Sequence, residues 1–225
     1  MIDISSICYI VGASCNDECV KFNANSSDYI IAADGGYELL EKSNIASDVV
    51  IGDFDSLKSE IQHHCIIRHP EDKDDTDSFL AYKLGYEKGY RTFVIYGGTG
   101  GRLDHTIANV QMLCNMAKNG ARGFLVGENT IITAIHNSKI SFSNENRGKF
   151  GVFSHGSISY GVDITGAKYT LKNGTITPDF PVGVSNEFID SETEISVKDG
   201  TLLLIWYESN EEFLKKINIY MEELL

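Results

Sequence analysis

The first half of the chain alternates short apolar runs, rich in β-branched residues, with segments of helical periodicity. Apolar runs bounded by turn residues are typical of buried strands, and strands that alternate with helices predict a parallel sheet. The predicted strands are residues 7–12, 29–33, 49–52, 65–67, 92–96 and 123–127. The predicted helices follow residue 36, begin near residue 76 and cover residues 104–119. We therefore expect a parallel-sheet α/β domain over residues 1–127.

Two of these helices have a predicted buried face. Helical spacing of apolar side chains predicts which residues turn inward. In the helix that begins near residue 76, these are Phe79, Leu80, Leu84 and Tyr86. In the helix over residues 104–119, these are Ile107, Val110, Leu113, Cys114 and Ala117.

Polar and glycine-rich segments follow the predicted strands directly. Asp34 follows the second strand, Asp53 and Asp55 follow the third, and the segment 97–101 follows the fifth. The acids of residues 74–77 come after the short fourth strand. Because the carboxyl ends of parallel strands meet at one edge of a sheet, and ligands bind there, we expect these groups to form one site.

The third strand runs straight into two carboxylates, in the segment Val49-Val50-Ile51-Gly52-Asp53-Phe54-Asp55-Ser56. Two acids at the end of a buried strand are costly unless something compensates their charge. A divalent cation such as Mg²⁺ would do so, since it prefers carboxylate oxygens. An acidic turn with Asp55 or Ser56 as a helix cap explains the same residues, and the segment alone does not separate the two interpretations.

Two further segments carry phosphate-binding chemistry. Lys73-Asp74-Asp75-Thr76-Asp77 places a lysine and three acids at a helix start, where a solvated cap is the simpler explanation. Gly97-Gly98-Thr99-Gly100-Gly101 lets backbone N–H groups approach a phosphate, and Arg102 follows it. The glycine segment matches neither a Walker loop nor a Rossmann fingerprint, and a tight turn also explains it.

The second half of the chain has a different pattern. Short alternating segments recur between turn residues, which predicts an antiparallel β-sandwich over residues 128–225. Lys172-Asn173-Gly174 and Lys198-Asp199-Gly200 are hairpin signals, and residues 168–171 read as a strand. Apolar residues at helical spacing from Phe213 to Leu224 predict a short C-terminal helix that packs on the domain.

Composition excludes several partners. The formal net charge of −13 argues against nucleic acids and anionic membranes, and it implies a cation if the ligand is a phosphate. The five cysteines are scattered, which indicates reduced thiols instead of a disulfide framework. The N-terminal residues do not resemble a signal peptide, and no apolar run approaches a membrane span. We therefore expect a cytoplasmic protein.

Taken in order, these motifs resemble the thiamine pyrophosphokinase family. The matching segments are Ala33-Asp34-Gly35-Gly36, Ile51-Gly52-Asp53-Phe54-Asp55-Ser56, Lys73-Asp74-Asp75-Thr76-Asp77 and Gly101-Arg102-Leu103-Asp104-His105 with Asn109, followed more weakly by Gly166-Ala167-Lys168-Tyr169 and Gly183-Val184-Ser185-Asn186. The resemblance implies an α/β catalytic domain and a β-sandwich. It also implies transfer of a diphosphoryl group from ATP to thiamine, and a homodimer with active sites at the subunit interface.

The resemblance also implies roles for individual residues. Asp53, Asp55 and Asp77 would bind Mg²⁺, with Asp34 as a further candidate, and Asp55, Asp74 or Asp77 would accept the alcohol proton. The residues implied in ATP binding are Asp34, Gly35, Lys73, Thr76, Gly98, Arg102, Asp104 and Asn109. Ser185 and Asn186 would contact thiamine. Tyr169 would stack on a thiamine ring, although packing in the sandwich core explains it equally well.

Two rival functions remain open on the sequence. A phosphatase similar to the haloacid dehalogenases uses a D-x-D motif, as in Asp53-Phe54-Asp55, but that motif ends the first strand of its sheet, and here two predicted strands come before it. A non-catalytic nucleotide or metal sensor with the same fold would bind ligands without turnover. The complete set of acids argues against such a sensor.

Overall fold

The structure is a computed structural model that describes residues 6–14, 20–54, 61–69 and 75–221. The chain divides into two compact units. The first contains the described residues up to Met112 together with Leu125–Gly127, and the second contains Leu113–Phe124 and the described residues from Glu128 onward.

Five strands of the first unit run parallel, as the alternating pattern predicts. They are β1 (Ile7–Val11), β2 (Tyr29–Ala33), β3 (Val49–Gly52), β4 (Ile66–Arg68) and β5 (Thr92–Tyr96). Their order is β5-β1-β2-β3-β4, and each neighbouring pair is parallel. In the central strand, Ile10 lies beside Ile31 on one side and Ile95 on the other. All three side chains are fully buried, which accounts for the near-continuous apolar runs in the sequence.

Helices α1 (Gly36–Lys42) and α2 (Asp77–Glu87) pack on this sheet. The predicted inward face of α2 is wrong. Phe79, Leu80, Leu84 and Tyr86 are only partly buried, whereas Ala81, Tyr82 and Gly85 are buried. The reason is close packing, because a Cβ at Gly85 would lie 2.7 Å from Cys8 Sγ. Tyr82 packs edge-on against Phe93 of β5.

Helix α3 (Leu103–Lys118) and strand β6 (Arg122–Val126) follow. The predicted buried face of α3 is correct for Leu113 and Cys114 but wrong for Ile107, which is 53% exposed. Val110 and Ala117 are partly buried. Asn109, Met112 and Met116 belong to the buried face, so that face is shifted from the one that apolar spacing alone predicts.

The second unit contains two antiparallel strand arrays. Its strands after β6 are β7 (Ile131–His136), β8 (Lys139–Phe142), β9 (Lys149–Ser154), β10 (Ser159–Thr165), β11 (Leu171–Ile176), β12 (Asn186–Glu187), β13 (Thr193–Ser196) and β14 (Thr201–Trp206). One array has the order β12-β9-β14-β7, and the other has the order β11-β10-β13-β8. Together with the parallel sheet and a C-terminal helix, this confirms the predicted fold class.

Aromatic side chains fill the core of the second unit. Phe142 of β8 packs edge-on against Trp206 of β14, and Phe188 packs against both Phe142 and Phe150. Helix α4 (Asn210–Met221) adds Tyr220, whose ring contacts Phe142 and Trp206. The C-terminal helix is therefore present and packed, as its apolar spacing predicts; Leu224, at the end of that pattern, lies outside the described residues.

Both predicted hairpin turns are wrong. Residues 172–174 lie within β11, where Asn173 has φ +47° and the pairing with β10 is irregular. The strand that was predicted at residues 168–171 lies further along the chain, because β11 begins only at Leu171. Residues 198–200 do connect two consecutive strands, but these are β13 of one array and β14 of the other, so they form no hairpin. Both signals mark local backbone conformation without specifying which strands pair.

None of the helices in the part of the chain that the structure describes is long and apolar enough to cross a membrane.

Candidate active site

Four loops of the first unit follow the carboxyl ends of parallel strands. They are residues 12–14 after β1, 34–35 after β2, 53–54 after β3 and 97–102 after β5. Since the strands are parallel and adjacent, these loops share one edge of the sheet, where α/β proteins bind their ligands. Of the groups predicted from the sequence, Asp34, Asp53 and the glycines of residues 97–101 therefore lie at this edge.

Asp34 occupies a tight turn between β2 and α1. Its backbone is left-handed (φ +48°), and its N–H donates to the carbonyl of Ile51 on β3 at 2.8 Å. Tyr37 N–H donates back to the Asp34 carbonyl at 3.2 Å. Gly35 is the residue that caps α1. The turn thus ties the ends of two neighbouring strands together and holds Asp34 beside the acidic end of β3.

Asp53 emerges from β3 next to a sharply turned residue. Phe54 has φ +64°, and the guanidinium of Arg68 lies 5.1 Å above the centre of its ring. This cation–π contact holds the Phe54 ring in place. Phe54, the middle residue of the D-x-D motif, therefore fixes the turn after β3. Asp53 is partly exposed. Asp55 and Ser56 lie outside the described residues.

The glycine loop approaches the end of β1 closely. Gly97 has φ +69°, and a Cβ there would lie 2.1 Å from the carbonyl oxygen of Gly12, so only glycine fits. Asn109 of α3 is buried, and its Nδ2 donates to the carbonyl of Gly98 at 2.9 Å. Asn109 therefore stabilises the conformation of the glycine loop.

Arg102 and Asp104 form an ion pair where the glycine loop meets α3. Arg102 Nη2 lies 2.6 Å from Asp104 Oδ2, and Nε lies 3.2 Å from Oδ1. The guanidinium holds the pKa of the Asp104 carboxyl below its usual range, chiefly through these hydrogen bonds. The two side chains are 72% and 63% exposed, so a phosphate can compete for the guanidinium.

Residues 75–77 form the start of α2. Thr76 is the N-cap, and its Oγ1 accepts from Phe79 N–H at 3.3 Å. Asp77 is the first helical residue, and Asp75 pairs with Lys83 at 2.6 Å. A capping role for Thr76 is therefore present in the structure, whatever ligand it also meets. Lys73 and Asp74 lie outside the described residues.

One loop of this edge, Gly12-Ala13-Ser14, was not predicted from the sequence. Ser14 N–H donates to the carbonyl of Gly97 at 3.1 Å, and its Oγ would lie 2.7 Å from a Cβ at Gly101. A Cβ at Gly35 would lie 2.9 Å from that of Ala13. The loop therefore packs between two predicted segments. A run of small residues directly after the first strand was the available signal.

In the second unit, the three predicted thiamine residues lie together. Asn186 is buried, Ser185 before it has φ +64°, and the Asn186 carboxamide bonds the backbone of Tyr169. The Tyr169 ring is 61% exposed. Core packing, which explained Tyr169 equally well from the sequence, is therefore wrong.

The described residues contain no group of three or more His, Cys, Asp or Glu side chains placed to hold a metal ion. Asp55 and Asp74 lie outside the described residues, so the structure describes only part of the predicted set of metal ligands and catalytic acids. Of the predicted carboxylates that the structure describes, Asp34 and Asp53 follow adjacent strands and Asp77 begins α2. All three offer the hard oxygen ligands that Mg²⁺ prefers. Their chemistry fits a magnesium site.

The chain matches two domain descriptions of one family. "Thiamin pyrophosphokinase, catalytic domain" matches residues 21–125, and "Thiamin pyrophosphokinase, vitamin B1 binding domain" matches residues 137–202. The first range contains the acidic edge and the glycine loop. The second contains Tyr169, Ser185 and Asn186.

Individual relatives agree with this match. The thiamine pyrophosphokinase of Bacillus subtilis is 29% identical over 182 residues, which cover 78% of this chain and 85% of the relative. A crystal structure of a thiamine pyrophosphokinase from B. subtilis superposes with a TM-score of 0.78 at 25% identity, over 90% of this chain and 99% of that one. The yeast enzyme shares the fold, with a TM-score of 0.68 at 17% identity over 91% and 87% of the two chains.

The fold, the acidic edge and these matches define a transferase of the kinase class. Its two domain matches, catalytic and then vitamin B1 binding, both belong to one family. The chain belongs to the thiamin pyrophosphokinase family, whose members make thiamine diphosphate.

Proposed function

We propose that the protein transfers a diphosphoryl group from ATP to the hydroxyl of thiamine, in a Mg²⁺-dependent reaction that yields thiamine diphosphate and AMP. One observation carries this proposal. The unit with acids and a glycine loop at one sheet edge matches the catalytic domain of the family, and the vitamin B1 binding domain match follows it in the chain.

In this reaction, the alcohol oxygen attacks the β-phosphorus of ATP. The bond from that phosphorus to the oxygen bridging the α-phosphorus breaks, and AMP leaves with the electron pair. Such a transfer depends mainly on positioning and on neutralising charge. The alcohol proton passes to a carboxylate, for which Asp55, Asp74 and Asp77 are the candidates, or to solvent.

The nucleotide is assigned to the glycine-loop edge. Arg102 is exposed and bonded to Asp104, so it is presented to phosphate as a rigid fork. Asn109 holds the Gly98 carbonyl and so fixes the loop, whose N–H groups would bind phosphate oxygens. The other residues assigned to ATP are Asp34, Gly35, Lys73 and Thr76.

Magnesium is assigned to Asp53, Asp55 and Asp77. A bound Mg²⁺ neutralises the phosphate charge that builds up during transfer. The net charge of −13 makes such a cation necessary for an ATP site on this chain. Thiamine is assigned to Ser185, Asn186 and Tyr169 in the second unit.

Three further assignments complete the proposal. The catalytic domain is placed at residues 1–127 and the thiamine-binding domain at residues 128–225. The active protein is a homodimer with its active sites at the subunit interface. It works in the cytoplasm, which is consistent with Cys8, Cys65 and Cys114 being free thiols.

The test is incubation of the purified protein with ATP, Mg²⁺ and thiamine, with AMP and thiamine diphosphate both measured. AMP formation that requires thiamine and is abolished by EDTA supports the proposal. An aspartyl-phosphate trapped at Asp53 by phosphate analogues would support the phosphatase instead, and ligand binding without turnover would support the sensor. The phosphatase is not favoured, because β1 and β2 precede the D-x-D motif.

A further inference from the structure

Two short segments of the second unit run side by side in antiparallel fashion. Ala167 and Phe188 form a β-bridge, and Lys168 N–H donates to the carbonyl of Glu187 at 3.0 Å. A salt bridge of 2.7 Å between Lys168 and Glu187 reinforces the pairing. The next pair along this ladder would be Tyr169 and Asn186.

At that position, the side chain of Asn186 takes the place of a backbone peptide. Tyr169 N–H donates to Asn186 Oδ1 at 3.0 Å, and Asn186 Nδ2 donates to the Tyr169 carbonyl at 2.7 Å. A carboxamide has the same donor and acceptor as a peptide group, so it extends the ladder by one pair. Ser185, directly before the asparagine whose side chain replaces the peptide group, has a left-handed backbone (φ +64°).

Asn186 uses its polar atoms within the protein. Its Oδ1 also accepts from Glu187 N–H at 2.8 Å, and the residue is only 6% exposed. A buried amide in this position stabilises the backbone that it bonds. The Tyr169 ring, by contrast, is 61% exposed, and the Lys168 ammonium lies 5.8 Å from its centre.

We infer that Asn186 is a positioning residue, which fixes the backbone of Tyr169 so that the tyrosine ring meets thiamine. This inference rests on the proposed function. Thiamine carries a positively charged ring, and an aromatic face attracts such a cation. The ring recognises the vitamin, and Asn186 acts on thiamine through Tyr169.

The test is a double-mutant cycle of N186A and Y169A, read as KM for thiamine and KM for ATP. Each single variant should raise KM for thiamine about tenfold, the effect of losing one aromatic contact to a cation. The double variant should be no worse than Y169A alone, because Asn186 acts through the ring. KM for ATP should stay within about twofold of the wild-type value. The matched control is N144A, at an exposed asparagine, which should leave both constants unchanged.

Hydrogen exchange at the Tyr169 amide tests the positioning step without any turnover. The amide should exchange faster in N186A and keep its protection in Y169A, where the backbone bonds remain. If N186A does not fold, N186D retains the acceptor and removes the donor to the Tyr169 carbonyl. It should raise KM for thiamine because the Tyr169 carbonyl loses its donor, while the Tyr169 amide, which keeps its acceptor, should stay protected.

Two results would overturn the inference. They are additive effects of N186A and Y169A on KM for thiamine, or an unchanged exchange rate at Tyr169 in N186A. If N186A does not fold, an unchanged KM for thiamine in N186D overturns it. Failure of the proposed function is a separate result, because the wild-type protein would then form no thiamine-dependent AMP while the exchange result could still hold.

Discussion

Two ion pairs in this protein have nearly the same length and opposite surroundings. Arg102 and Asp104 lie 2.6 Å apart at the glycine loop, with side chains 72% and 63% exposed. Lys216 and Glu208 lie 2.5 Å apart beneath α4, with side chains 8% and 7% exposed. An exposed pair contributes little to stability and can be exchanged for a ligand, whereas breaking a buried pair leaves an uncompensated charge.

The buried pair is part of a larger network. Glu208 Oε2 accepts from Trp206 Nε1 and from the Tyr220 hydroxyl, each at 3.0 Å. The Tyr220 hydroxyl accepts from Asn146 Nδ2 at 2.8 Å. Burial, and then the nearby Glu208 carboxylate, raises the pKa of Tyr220, so the phenol remains a donor at neutral pH. The network holds α4 in place and has a structural role, whereas the Arg102–Asp104 pair of the first unit is exposed to a ligand.

The largest expected effect is a loss of turnover when acids at the sheet edge of the first unit are replaced. D53N and D77N should each lower kcat on the order of 10³-fold, because a bound metal supplies several kcal/mol to the transition state. Their free energy of unfolding should change by no more than about 0.5 kcal/mol. D190N is the control, at an aspartate that is 89% exposed. Near-normal turnover in D53N and D77N would remove the metal assignment.

Next comes a loss of stability at the buried pair. K216M should lower the free energy of unfolding by about 3–5 kcal/mol, because the Glu208 carboxylate stays buried without its cation. Denaturant unfolding followed by tryptophan fluorescence measures the change at Trp206. K215M is the matched control, since that neighbouring side chain is 57% exposed. A loss in K216M as small as in K215M would contradict the comparison between the two pairs.

A smaller effect should follow removal of the exposed cation. R102A should raise KM for ATP about tenfold, the effect of one charge-assisted contact to phosphate, without measurable loss of stability. R147A is the control, because this arginine is 62% exposed and pairs with Asp190 in the second unit. An equal rise in KM for thiamine would mean that Arg102 acts on the site as a whole.

The smallest effect concerns the pKa of Asp104. Because Arg102 lowers the pKa of the carboxyl in the folded protein, the interaction is present above the ordinary value of 3.8 and is lost only as the pH falls through the lower folded value. R102A should therefore raise the pKa of Asp104 toward 3.8, which an NMR titration of its carboxyl carbon measures. An unchanged titration would show that the pair does not persist in solution.

The two regions also differ in how far the sequence predicts them. The edge of the first unit is predictable because its parts are local: each strand leads directly into its own acid or glycine segment, and parallel pairing brings the ends together. The loop at residues 12–14 was missed because small uncharged residues have no distinctive pattern. The face of α2 was wrong because close approach at Gly85 decides it, and apolar spacing does not record that contact.

The buried network could not be predicted from the sequence. Its residues come from different parts of the second unit: Trp206 from β14, Lys216 and Tyr220 from α4, and Asn146 and Glu208 from loops. No spacing relates Asn146 to the rest. The role inferred for Asn186 could not be predicted from the sequence for the same reason. Its family position indicates a contact with the vitamin, whereas its bonds to Tyr169 become visible only when two distant segments are paired.

The most direct test of the central claim is to follow the phosphates of ATP separately. One reaction uses ATP radiolabelled at the γ-phosphorus and another uses ATP labelled at the α-phosphorus, both with thiamine and Mg²⁺. Diphosphoryl transfer predicts γ-label in thiamine diphosphate and α-label in AMP, with the two products in equal amounts. Recovery of the α-label in ADP, or release of the γ-label as orthophosphate, would contradict it.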